Sequence, residues 1–71
     1  MKQYTVILER GPRNWSAYVP DLPGCVAAAR SRVEIEWLIR EAIEFHVEAM
    51  RADGLLIPEP TTEALQVAVS A

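Results

Sequence analysis

Reactive side chains are scarce in this sequence. It holds one cysteine, Cys25, and one histidine, His46, in 71 residues. No internal disulfide can form, and Cys25 has no thiol partners for a metal site. A lone thiol fits a reducing compartment, so the chain is expected in the cytoplasm, with no cofactor. Positive charge is also short: seven Lys and Arg against ten Asp and Glu give a formal charge of −3, the reverse of the basic footprint of nucleic-acid binders. Arg10, Arg13 and Arg30 make a basic set near strand ends that is too thin for RNA. An acidic domain suits a basic protein partner better. No apolar run approaches the roughly 18 residues of a membrane helix. The N-terminus MKQYTVILE puts a glutamate where a secretory signal would continue apolar, so neither membrane insertion nor export is expected. Repeats, low-complexity tracts and internal boundaries are absent, and residues 1–71 read as one domain.

Apolar character, by contrast, is plentiful. Hydrophobic residues make up 51% of the chain, a large share for a body that can bury only a modest fraction of its surface. Self-association is the simplest outlet for the surplus, as a homodimer or homotetramer.

The pattern begins as strands. Tyr4, Val6 and Leu8 alternate with Thr5, Ile7 and Glu9, the period of two that separates a core face from an outer face. RGPRN, Arg10 to Asn14, reverses the chain as a hairpin loop. A second strand, Trp15 to Val19, places Trp15, Ala17 and Val19 on one side. The connector VPDLPGC follows. Pro20 lacks an N–H for a ladder and ends the strand, and Pro23 keeps Leu22 extended. Pro23-Gly24 suits the centre of a type II turn, where glycine accepts positive φ. Asp21 can bond nearby backbone amides. A third strand, Cys25 to Ala29, has side chains small enough for close approach by a helix or another subunit.

A helix is expected from Arg32 to about Ala52. Ser31 caps it, Glu34 completes a capping box and Gly54 terminates it. Ile35, Ile39, Ala42, Ile43, His46 and Met50 fall on one stripe, which must cover a sheet. Trp37, Glu41, Glu44 and Glu48 fall on the opposite side. Beyond the helix, LLIPEPTT is an extended linker, and Leu65, Val67 and Val69 alternate within Glu63 to Ser70, read as a fourth strand. The result is an α+β fold, β-β-β-α-β, with one helix on a four-stranded mixed sheet. Its other face, with Thr5, Ile7, Ser16, Tyr18 and Ala27, stays uncovered.

Three stretches carry a resemblance: W-S-A-Y-V-P-D-L-P-G-C from Trp15 to Cys25, the capped helix with I-R-E-A-I-E at Ile39 to Glu44, and G-L-L-I-P-E-P from Gly54 to Pro60. Together, over roughly residues 4 to 70, the chain resembles the HicB antitoxin-like family, whose small domain is described as a partial RNase H-like fold. Where members usually read Gly-Asp-Thr or Gly-Asp-Ser before the helix, this chain has Ala29-Arg30-Ser31, keeping the cap but replacing an acid with a base. The resemblance implies an antitoxin of a toxin–antitoxin system, a non-enzymatic protein that blocks a small basic RNA-cleaving toxin of the HicA type. Many members add a C-terminal DNA-binding segment. None follows the last strand here, so direct DNA binding is not expected.

Several residues invite sharper readings. A two-metal nuclease needs carboxylates converging on ions about 4 Å apart, but the strands supply only Glu9 and Glu63, at their ends. His46 has no recognisable nucleophile to serve and reads as a packing residue, as does Cys25. Trp37 either lies along the helix surface or anchors a partner, together with Glu41, Glu44 and Glu48. Asp21 either bonds within its turn or is displayed with Leu22 to a partner's basic surface, on a loop stiffened by Pro20, Pro23 and Gly24. Against the antitoxin reading stands an orphan oligomeric module that binds another protein or a small ligand.

Overall fold

A computed structural model describes all 71 residues. Three strands, β1 (Ile7–Arg10), β2 (Trp15–Tyr18) and β3 (Val26–Ala29), precede one long helix, α1 (Arg32–Ala52). The strands form an antiparallel meander in the order β1-β2-β3. Its register sets Leu8 opposite Ala17 and Ala17 opposite Ala27, while Ile7, Tyr18 and Val26 form a parallel row. Directly opposed residues share a face, so Ala27 lies on the buried side with Ala17. The expectation that Ala27 faces outward is off by one residue, and Val26 and Ala28 occupy that outer face instead. The register set by Tyr18 and Val26, not the start of the apolar run, decides the phase of β3.

Six residues are buried: Ala17, Val19, Leu22, Cys25, Ile35 and Ile39. Half of them come from the connector between β2 and β3, which explains its composition. The Val19 carbonyl accepts from Leu22 N at 3.0 Å, and the Leu22 carbonyl accepts from Cys25 N at 3.0 Å. Two successive turns thus point Val19, Leu22 and Cys25 inward at intervals of three. Gly24 has φ +86°, the left-handed value that the second turn requires after Pro23.

The helix obeys its end signals. Ser31 Oγ accepts from Glu34 N at 3.1 Å, while Glu34 Oε1 reaches back one residue further, to Arg30 N at 3.0 Å. At the other end Gly54 has φ +70°. Gly54 N donates to the Arg51 carbonyl and Leu55 N to the Met50 carbonyl, the paired bonds of a Schellman ending. Ile35 and Ile39 enter the core, and Ala42, Ile43, Val47 and Met50 pack around it. His46 is half-buried on this side. The helix lies over β3 and β2 and stands off β1.

The fourth strand does not form, and the sheet has three strands rather than four. Residues 55–71 contain no helix or strand, and Leu65, Val67 and Val69 are exposed. Alternation makes a segment compatible with a sheet, but a strand exists only where an edge pairs with it. The projecting segment also lengthens the molecule. Its radius of gyration is 13.8 Å, against about 11 Å for a compact chain of this size.

Candidate protein-binding surface

Asp21 is spoken for within its own chain. Its Oδ2 accepts the amide N–H groups of Thr61 and Thr62, each at 3.0 Å, and its Oδ1 accepts their hydroxyls at 3.2 and 2.8 Å. Four donors saturate the acceptor sites of a carboxylate. The bonds run to residues 40 and 41 positions away, not to the neighbouring amides that the turn suggested. The Thr62 amide, followed by the Thr62 hydroxyl, holds the Asp21 carboxyl below its ordinary pKa, with desolvation opposing and Thr61 assisting. Around this clamp, Thr5 Oγ1 donates to the Thr62 carbonyl at 2.7 Å, Tyr4 Oη donates to the Pro58 carbonyl, and Lys2 pairs with Glu59. The IPEPTT segment is strapped across the end of the sheet.

Leu22, beside it, has no exposed surface. The reading in which the loop displays Asp21 and Leu22 to a partner is therefore corrected: one is a strap and the other is core. Pro20, Pro23 and Gly24 hold that arrangement, with Pro23 and Gly24 at the surface.

The outward face of α1 has a different character. Trp37 is 64% exposed, and Glu41, Glu44 and Glu48 are exposed on the same strip. Val33, Glu36, Trp37 and Arg40 line a shallow depression. Phe45, 77% exposed, falls 80° from Trp37 at 100° per residue and extends this surface beyond the residues singled out from sequence. The helical wheel that placed Trp37 outward also places Phe45 there. The acidic strip is largely unpaired. Only Glu48 is bonded, to Arg51 at 3.0 Å, and an exposed pair of this kind contributes little.

Elsewhere on the surface, Arg10, Arg13 and Arg30 surround a shallow polar depression at the β1–β2 hairpin. The guanidinium groups of Arg10 and Arg32 lie 5.9 and 5.6 Å from the Trp15 ring centre, within cation–π range. Bases gather at the hairpin, whereas the helix carries both signs, with Arg40 beside Trp37 and Arg51 beside Glu48. No three His, Cys, Asp or Glu side chains gather closely enough to hold a metal ion. Glu9 and Glu63 are exposed. Cys25 is buried, which pushes its thiol pKa up and away from nucleophilic character. No helix is long and apolar enough to cross a membrane.

Fold and surface together define a small α+β domain with an aromatic, acidic helix face. The chain belongs to the HicB-like antitoxin family of bacterial toxin–antitoxin systems, whose model matches residues 4–70. It is also 34% identical over 56 residues to an uncharacterized 14.9 kDa protein from the rep-hol intergenic region of Haemophilus phage HP1 (strain HP1c1). That match covers 79% of this chain and 42% of the phage protein, so the chain spans less than half the length of the curated relative it matches. No solved structure matches it.

Proposed function

We propose that this chain is the antitoxin of a HicA/HicB-type pair, which binds a small basic RNA-cleaving toxin and covers its RNA-contacting surface. It acts by occlusion and not by catalysis, in a reducing cytoplasm where Cys25 stays a thiol. Self-association as a homodimer or homotetramer accompanies this role. Family membership supplies the class. The observation that carries the mode of binding is the outward face of α1, where Trp37 stands exposed beside Glu41, Glu44 and Glu48. An aromatic anchor among carboxylates is complementary to a basic surface. The aromatic would supply affinity, and the charges would supply steering and orientation.

The test is co-expression with the small basic protein encoded next to this chain, followed by co-purification and growth rescue. A stable complex and restored growth are expected. Trp37→Ala should weaken the complex by about 30-fold or more, the loss typical of an interface hot spot, with an unchanged circular dichroism spectrum. Charge reversal of Glu41, Glu44 and Glu48 to Lys should slow association and remove its salt dependence. Lack of a complex with any neighbour would favour the orphan module, and wild-type affinity in both variants would move the interface off this face.

A further inference from the structure

β1 pairs only with β2, so its outer edge is free. Leu8 on that edge, with Tyr4 and Val6 in the segment leading into it, packs toward the core but remains half-exposed, as do they. Because α1 stands off β1, an open groove of about 780 Å³ lies between them, with Tyr4, Val6 and Leu8 on the strand side, Ile39 and Ile43 on the helix side, and charged Arg32, Glu36, Arg40 and Glu44 also along the helix. Free backbone groups along one wall and apolar side chains on the other are what an added strand needs.

The same chain carries a segment with a strand's pattern and no sheet to join. From Glu63 to Ser70 it makes no hydrogen bond to the body, and Leu65, Val67 and Val69 are 86%, 70% and 78% exposed. These three share one side, while Ala64, Gln66, Ala68 and Ser70 share the other. Eight extended residues would span about 26 Å, enough to cover the about 13 Å of β1 and the residues that lead into it. The alternation sets one apolar side of the segment toward the apolar half of the groove.

The segment's own groove is the wrong place for it. Thr62 is held between Asp21 and the Thr5 hydroxyl. Thr5 has the phase of Ile7, which the register puts on the open face, whereas Tyr4 and Val6 point toward the helix. The arm therefore departs from the face opposite the groove. We infer that residues 63–70 are an exchange arm that adds to the β1 edge of a second copy of this chain, with Leu65, Val67 and Val69 against Ile39 and Ile43. Two copies exchange arms reciprocally about a two-fold axis, and each sheet gains its fourth strand in trans. The inference deepens the self-association included in the proposed function, and its test uses the antitoxin alone, so it can fail while toxin binding stands.

The experiment is sedimentation equilibrium on the full chain and on Leu65→Asp/Val67→Asp. Both altered positions are exposed in the single chain, so the substitutions leave the core intact, and an unchanged helix signal in circular dichroism verifies this. The wild type should be a dimer at micromolar concentration, and the variant's dimer dissociation constant should rise at least about 100-fold, because each dimer would bury four carboxylates against the apolar half of the grooves. Isotope-filtered NMR on a mixture of labelled and unlabelled wild-type chains should show contacts between Val67 or Val69 of one copy and Tyr4 or Ile43 of the other. A monomeric wild type, a dimer indifferent to the two substitutions, or arm contacts confined to one chain would each overturn the inference.

Discussion

Replacing Leu22 by alanine separates a folding residue from a binding residue. Leu22 is one of the two largest fully buried side chains, with Ile35, and the turn around it is fixed by Pro20, Pro23 and the bonds from Leu22 N and Cys25 N. A wall this stiff cannot collapse into the space left behind, which keeps the loss off the bottom of the roughly 2–5 kcal/mol range for such truncations, at about 3 kcal/mol or more. A domain of 71 residues has a total stability of about 4–11 kcal/mol, so about a quarter to three quarters of it should disappear. At about 4–8 °C per kcal/mol for a domain this small, Tm should fall by at least about 12 °C. The assay is urea and thermal denaturation followed by circular dichroism, at one protein concentration because dimerisation would shift the apparent stability. At a temperature where the variant remains folded, its toxin affinity should equal that of the wild type. A stability loss below about 1 kcal/mol, joined to weakened toxin binding, would refute the placement of Leu22 in the core.

Asp21 should make stability depend on acid. Its folded pKa lies below the ordinary value, so its contribution is fully present above the unfolded pKa and is lost as pH falls through the folded one. Denaturation from neutral pH to about pH 3 should show Asp21→Asn to be less stable than wild type at neutrality, with the two curves converging below about pH 4. Parallel curves would show that the clamp is not the titrating element. Gly54 tests a purely conformational term. Its φ is +70° and nothing lies within 4 Å of where a Cβ would sit, so Gly54→Ala should cost about 1–2 kcal/mol from left-handed backbone alone. Gly54→Asn should cost less, and equal losses in the two melts would point to a different cause.

The elements legible in the sequence were those specified locally. The helix begins and ends where Ser31 and Gly54 place it, and the Pro23-Gly24 turn forms as its residues dictate. Tyr4, Val6 and Leu8, like Trp15, Ala17 and Val19, turn toward the core as their alternation predicts, although the strands themselves are shorter, β1 beginning only at Ile7 and β2 ending at Tyr18. What escaped depended on distant partners. Nothing around Asp21 announces that its acceptors will be filled by threonines 40 residues on. A carboxylate between two prolines looks available until the tail is seen to cross it. Leu22 was misjudged because a connector rich in turn residues reads as surface, although here it supplies half the core. Residues 63–70 carry a sound strand pattern, but periodicity cannot name the edge that will accept it. Of the candidate surface, Trp37 and the glutamates lie where the helical wheel puts them, and Phe45 was there to be read by the same rule.

The clamp also bears on how the molecule acquires its shape. Neighbouring strands are joined by short connections and β3 runs almost directly into the helix, so most native pairings involve residues close in sequence, the condition for rapid collapse. Closing residues 61 and 62 onto Asp21 spans the whole helix, and the two residues that close are themselves threonines with no large apolar side chain to bury. Such a closure is cheap to undo and should open many times for every global unfolding. Proton exchange at the Thr61 and Thr62 amides would then register a private latch, released and refastened while the rest of the body stays shut.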